Sequence, residues 1–260
     1  CIGWFREWQQ SIPDHDYQHE KLSPHGIYKF HEAGHQRHAW YIRTRPRVKE
    51  VFKGLWDTNE LVVSFDGSCY IPKSLKKKDN IWTHTDQAPN KLGRHCIQGY
   101  VALTSNKERT FVCYEGSHNI HEKYFKDRGI EKGGDWQLIE HEVVEAMKDY
   151  KKINNVKAGS LVLWDSRVFH QNQYGKPGSE ERIVQYVCYL PKNHEKNTMA
   201  MRKKRRKYFN ERRTTSHWPC PIKVNGKQGR NFGNERLVID YDALRAPKLD
   251  DMMDEIEQLL

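Results

Sequence analysis

The sequence predicts a mainly β protein, an antiparallel sandwich or jelly roll with helices at its flanks. Two observations predict it. Between positions 60 and 190, six short runs are rich in Val, Ile, Tyr, Phe and Trp: 61–71, 81–87, 95–104, 110–115, 160–165 and 182–190. Turn-forming clusters such as Thr104-Ser105-Asn106 separate them, the pattern of successive short strands. The regular strand–helix alternation of a parallel sheet is also missing. A single helical stretch, 136–151, interrupts the runs, with Leu138, Ile139, Val143, Val144 and Met147 on one side.

These elements divide the chain into three. Residues 1–59 form an N-terminal helical and loop flank. Ile2 to Trp8 reads as the interior of an amphipathic helix, so the sequence is expected to begin inside a longer protein. A second helix is expected over 46–56, where Pro46 suits a first helical turn and Val48, Val51, Phe52 and Leu55 recur at helical spacing. Residues 60–192 form the jelly-roll core with its inserted helix. Residues 193–260 follow as a basic helix, a loop containing Pro and Gly, and an acidic helix over 250–260.

Composition narrows the functional classes. With 37% apolar and 30% charged residues, the chain can build a core under a wet surface and is not a disordered polymer. No apolar run approaches the roughly 18–20 residues that a membrane span needs, and no signal peptide is visible. The six cysteines are scattered without a C-x-x-C pair, which suits free thiols in a reducing compartment. An intracellular, cytoplasmic location is the expectation. The net charge of +10 is concentrated in one run of six cations, Arg202 to Lys207, so it does not mark the whole surface as a nucleic-acid binder. That run also admits a second reading, as a nuclear-import signal.

Of the 14 histidines, only His84 is followed two positions on by a carboxylate, Asp86. On a strand, alternate residues share a face, so the two side chains can reach one metal ion. The spacing is common by chance and decides nothing alone. Downstream, Gly159 to Asp165 reads as a turn entering a buried strand, and His170 follows it closely. Arg182 then heads the apolar run Ile183 to Leu190. It is either a solvent-facing Arg at a sheet edge or a buried fork for a carboxylate, the geometry a guanidinium serves best.

Taken in order, Trp82-Thr83-His84-Thr85-Asp86, Gly99 to Thr104, Tyr114-Glu115-Gly116-Ser117-His118, Gly159 to His170 and Arg182 resemble the phytanoyl-CoA dioxygenase-like family. The resemblance spans about residues 82–190. It implies a cupin-like double-stranded β-helix, Fe(II) held by His84, Asp86 and His170, and 2-oxoglutarate gripped at its C5 carboxylate by Arg182. O2 is the further co-substrate, and succinate, CO2 and a hydroxylated small molecule are the products. Tyr100 falls where the family places an aromatic residue beside the co-substrate. Gln98, on the same strand face, and Thr110, at the head of the next strand, are further pocket candidates. The Gly116-Ser117-His118 turn is structural in the family, so His118 is not counted as a ligand. Two departures stand out: Glu115 replaces the usual proline, and the family's opening strand is missing. Asp86 matters to the outcome, because related halogenases have Gly or Ala at that position.

Two other readings compete. His31-Glu32-Ala33-Gly34-His35 spells H-E-x-x-H, which on a helix would bind zinc as a metalloprotease. Gly34 and the polar flanks argue for a loop instead. The basic stretch 202–213, with Tyr208 and Phe209 beside it, could bind nucleic acid through phosphates, as a binding module or as a nucleic-acid-directed dioxygenase. The acidic C-terminal helix offers it a partner within the chain.

Overall fold

In chain order, the elements of the computed structural model are α1 (Ile2–Ser11), α2 (His15–Leu22), α3 (Arg37–Thr44), α4 (Pro46–Trp56), β1 (Leu61–Val63) and β2 (Ser68–Ile71). Then come β3 (His84–Thr85), β4 (Ile97–Ala102), β5 (Phe111–Tyr114), α5 (Ser117–Asp127), β6 (Gln137–Leu138), α6 (His141–Ala146) and β7 (Lys151–Ile153). The chain closes with β8 (Leu161–Asp165), β9 (His170–Asn172), β10 (Arg182–Pro191), α7 (Met199–Asn210) and α8 (Met253–Glu257). All 260 residues are described. The pairs β1–β10, β3–β6, β3–β9, β4–β8, β5–β7 and β5–β9 run antiparallel, and the jelly-roll class expected from the sequence holds. No helix is long and apolar enough to cross a membrane.

The chain falls into two units, Cys1–Tyr70 with Ile183–Leu260, and Ile71–Arg182. In the first, β1 lies against β10 in the register Leu61↔Pro191 to Val63↔Tyr189. Helix α1 buries Phe5 and Trp8, whose rings meet His38 at 5.1 Å and Tyr28 at 4.9 Å. Helix α4 turns Phe52 onto Tyr189, ring centroids 4.6 Å apart. Arg43 of α3 is fully buried and brackets backbone: its guanidinium donates to Gly34 O at 2.5 Å and to Asp66 O at 2.6 Å. Burial pushes its pKa down to about 10.

The basic run lies on α7 and is not a uniform charged face. Arg205 is fully buried, donating to Asn197 Oδ1 at 2.8 Å and Pro219 O at 2.7 Å. Arg206 makes a two-pronged pair with Glu257 of α8, both contacts 2.5 Å, so the acidic helix does meet the basic one. An exposed pair of this kind adds little stability. Arg202, Lys203, Lys204 and Lys207 share the surface with Arg206.

In the second unit, one sheet runs β6-β3-β9-β5-β7, and β4 pairs with β8 from Ile97↔Asp165 to Val101↔Leu161. Aromatic side chains fill the space between them: Trp164 of β8 meets Phe111 of β5 at 4.8 Å, and Tyr100 of β4 lies 6.1 Å from Phe111. Gly99 is required there, because a Cβ would sit 2.8 Å from Val162 O and 2.6 Å from a Leu163 methyl. A satellite core of Tyr114, Tyr124, Phe125, Ile139, Val144 and Phe169 anchors α5 and α6.

The expected helix over 136–151 is the main departure. Only α6 and a short 3-10 turn at 148–150 are helical, while Gln137 and Leu138 join the sheet as β6. The free edge of β3 supplies backbone partners that outweigh the local helical pattern, with Ile139 N donating to Thr83 O at 2.9 Å. Over 81–87, in turn, only His84 and Thr85 are strand.

Because Arg205 holds buried acceptors that no water can reach, Arg205→Ala should cost about 2–4 kcal/mol in urea unfolding. The exposed Lys204→Ala on the same helix should stay within about 0.5 kcal/mol of the parent.

Candidate metal centre

Strand β3 presents His84, and β9 begins at His170 directly opposite it in register. Residues opposite one another on antiparallel strands share a face, so the two imidazoles lie side by side. Asp86, two positions after His84, projects to the same face. Its backbone N–H donates to Ser166 O at 2.9 Å, and the Thr85 hydroxyl donates to the same carbonyl at 2.9 Å. These bonds fix the chain just past His84 onto the turn that leads to His170.

The three side chains converge. His84 Nε2 lies 3.7 Å from Asp86 Oδ1, and His170 Nε2 lies 3.2 Å from Asp86 Oδ2. One nitrogen or oxygen from each lies within 4.8 Å of the others, close enough for one ion to touch all three. All three residues are buried, at 5%, 2% and 5% exposure. His84 Nδ1 is 3.1 Å from Trp82 O and His170 Nδ1 is 2.8 Å from Val168 O. A carbonyl can only accept, so in the neutral rings Nδ1 carries the proton and the Nε2 lone pairs face the common point. Burial, reinforced by His170, lowers the His84 pKa and favours its neutral, ligand-competent form. Two imidazoles and a carboxylate on one face form the donor set of a facial triad, which fits a divalent iron ion.

Aromatic rings hold the centre in place. Trp82 stacks on His84 at 4.8 Å and 19°, while Phe111 and Trp164 each lie 5.3 Å from His170. The Gly116-Ser117 turn acts on the same strand. Ser117 Oγ donates to Tyr114 O at 2.6 Å and accepts from Phe169 N at 2.8 Å, clamping the residue before His170. At Glu115, the backbone N–H donates to Tyr150 O at 2.9 Å, a bond that a proline there could not make.

Arg182 belongs to the same unit and is fully buried, so the reading of it as a solvent-facing edge residue is excluded. Its guanidinium lies 5.2 Å from the Tyr100 ring centroid, a cation–π contact. Gln98, on the Tyr100 face of β4, is 1% exposed, and both atoms of its amide lack a hydrogen-bond partner. Its cross-strand neighbour is Trp164, whose Nε1–H is likewise unpartnered. Thr110 is buried, but its hydroxyl donates to Asn154 O at 2.6 Å, which gives it a structural task. Sequence reasoning did not single out Trp164 or Phe111 as neighbours of the centre. Strand alternation marks them as inward-facing but cannot say what they face.

The H-E-x-x-H pentad builds no metal site. His31 and Glu32 take left-handed φ of 58° and 55°, and a 3-10 turn covers Ala33–His35, so the two histidines share no helix face. His31 Nε2 lies 2.7 Å from Gln18 Oε1, and His35 Nε2 lies 3.1 Å from Arg213 O. Burial drives their pKa values to about 4 and about 3. Gly34 answers to packing, since a Cβ would fall 2.0 Å from Phe65 O.

No family model matches the chain. Among curated proteins, it is 28% identical over 212 residues to Ava biosynthesis cluster protein O of Aspergillus versicolor, covering 74% of this chain and 68% of that protein. It is 24% identical over 187 residues to a putative phytanoyl-CoA dioxygenase of Dictyostelium discoideum. The second likeness is to a protein named for the family that the sequence motifs resemble. The second match covers 57% of this chain and 52% of the relative, so the chain spans about half of that protein's length. Among solved structures, a non-heme monooxygenase, ThoJ in its apo form, aligns over 98% of this chain and 84% of its own at 13% identity and a TM-score of 0.49. EctD from S. alaskensis, solved with 2-oxoglutarate and 5-hydroxyectoine, aligns over 59% of this chain and 52% of its own at 14% identity and a TM-score of 0.44.

If the three converging side chains hold one ion, anaerobic titration with Fe(II) should quench tryptophan fluorescence at one equivalent, because Trp82 and Trp164 border the centre. His170→Ala should weaken that binding at least about a hundredfold, more than loss of an outer partner of a ligand costs. His35→Ala should leave it within about threefold of the parent, since that ring stands outside any ligand set.

Proposed function

We propose that this protein is a non-haem Fe(II)- and 2-oxoglutarate-dependent oxygenase that hydroxylates a C–H bond of a small molecule, releasing succinate and CO2. The observation that carries the reading is the convergence of His84, Asp86 and His170 on one buried face, with both imidazoles oriented Nε2-inward. The likeness to a protein named as a phytanoyl-CoA dioxygenase supports it.

Each residue has a task in this reading. His84, Asp86 and His170 would hold Fe(II), and three protein ligands would leave it able to take co-substrate and oxygen as well. The iron, when bound, supplies the oxygen chemistry. Arg182 receives the distal carboxylate of 2-oxoglutarate, which a planar fork grips with two parallel hydrogen bonds. Tyr100 backs that fork, and the Gln98 amide, buried without a partner, offers donors to the co-substrate's oxygens. The Trp164 indole N–H is a further donor on the same lining. Phe111, Trp82 and Trp164 keep water away from the reacting centre and strengthen every charge interaction within it.

A nucleic-acid substrate finds less support. Arg205 and Arg206 of the basic run are already committed within the molecule. DNA binding should be feeble at 150 mM salt, where exposed charges are screened beyond about 8 Å. Tight binding that Lys203→Ser with Lys204→Ser removes would put a polymer at the head of the substrate classes.

Arg182→Lys should raise the KM for 2-oxoglutarate about 10- to 100-fold, equivalent to roughly 1.5–3 kcal/mol, because an ammonium cannot offer two parallel donors. The KM is read from succinate release, and an unchanged value would remove Arg182 from the co-substrate site.

A further inference from the structure

Strand β6 and the residue just before it place two large apolar side chains, Leu138 and Trp136, beside the metal centre and leave both partly in solvent. The register of β6 sets Leu138 opposite His84 and Gln137 opposite Thr85. Opposed residues share a face, so Leu138 stands on the face that bears His84 and Asp86. Trp136, two positions earlier, belongs to that face as well. Its ring centroid lies 5.5 Å from that of His84. Yet Trp136 is 52% exposed and Leu138 53%, although His84 beside them is nearly sealed.

The mount beneath Trp136 is firm. Asp135, its neighbour, pairs with Lys91, and both side chains are largely buried. The turn carrying Lys91 is held by Gln87, whose amide donates to Lys91 O and Gly93 O, both at 2.7 Å. Gln87 in turn accepts from Ser166 Oγ at 2.7 Å, and Ser166 is the residue whose carbonyl fixes Thr85 and Asp86. On the other side, the Gln137 amide donates to Gly134 O at 2.7 Å. One continuous chain of bonds therefore sets both the metal face and the exposed indole.

We infer that Trp136 and Leu138 form the wall on which the substrate docks, and that the substrate presents a flat apolar moiety to it. The inference rests on the oxygenase reading above. A rigid, half-exposed indole adjoining a ligand of the metal offers a large stacking surface at little entropic cost. Within the mount Lys91 pairs with Asp135, and the Glu122 carboxylate accepts from Gly93 N at 2.7 Å. The wall itself, an indole and a leucine side chain, offers an apolar surface to the substrate.

The test uses the whole chain and 2-naphthol as a flat apolar probe, with methyl glucoside as a polar one. Binding is followed by ligand-observed NMR, with Mn(II) in the metal site as a relaxation agent. The expected result is that 2-naphthol binds, methyl glucoside does not, and Mn(II) speeds relaxation of the naphthol protons. Trp136→Ala should weaken naphthol binding about five- to tenfold while Trp136→Phe retains most of it. Leu138→Ser, at an exposed edge position that folding tolerates, should weaken it about threefold. Mn(II) and 2-oxoglutarate affinities should stay unchanged in all three variants. Equal naphthol binding by Trp136→Ala and Leu138→Ser, no binding at all, or no Mn(II) effect in a metal-loaded parent would overturn the inference. Failure of the parent to bind Mn(II), with naphthol binding still dependent on Trp136, would overturn the oxygenase reading and leave the docking wall standing.

Discussion

The register of β3 against β9 is the constraint on which the rest of the site depends. His84 stands opposite His170 because these two short strands pair at that position and no other. A slip of one residue would turn one imidazole to the far face and disperse the donor set. Strands of two and three residues cannot hold a register through their own ladder, so it is enforced from outside. Ser166 receives bonds from both Asp86 and Thr85, Ser117 clamps Phe169, and Gln171 Oε1 accepts from the Thr83 hydroxyl at 2.8 Å. Backbone and side-chain hydrogen bonds around the two strands thus do what longer strands would otherwise do.

The surroundings of the centre combine two opposed demands. Aromatic rings exclude water, and burial favours the neutral form of His84, the form that ligates metal. The same lining buries polar groups at Gln98 and Trp164 that have no partner within the protein. Buried unsatisfied groups cost free energy, so their persistence is intelligible where a polar ligand completes them.

Elsewhere the molecule shows how a local motif can mislead. The H-E-x-x-H pentad and the six-cation run both carry strong functional associations, yet packing assigns them other work. Left-handed backbone at His31 and Glu32, and the approach of Phe65 to Gly34, shape the pentad as a tight turn. Arg205 brackets backbone carbonyls as Arg43 does, so a residue counted as surface charge is part of the interior.

The sequence by itself determined the chemistry-bearing pattern. H-x-D at His84 and Asp86, His170 after a buried run and Arg182 at the head of another are legible because strand alternation has a period of two, which fixes faces without knowledge of the fold. The helical stretches at 2–8 and 46–56 were legible for the same reason at a period of 3.6, and so was the antiparallel, jelly-roll class. Tertiary structure alone decided the rest. That Gln137 and Leu138 would join a sheet instead of opening a helix depended on the free edge of β3, whose paired residues Thr85 and His84 lie in a distant part of the chain that no local window contains. The burial of Arg182 and Arg205, and the exposure of Trp136 beside a sealed histidine, are likewise properties of what packs against each side chain. Sequence fixes which face a residue occupies; only the assembled neighbours decide what that face meets.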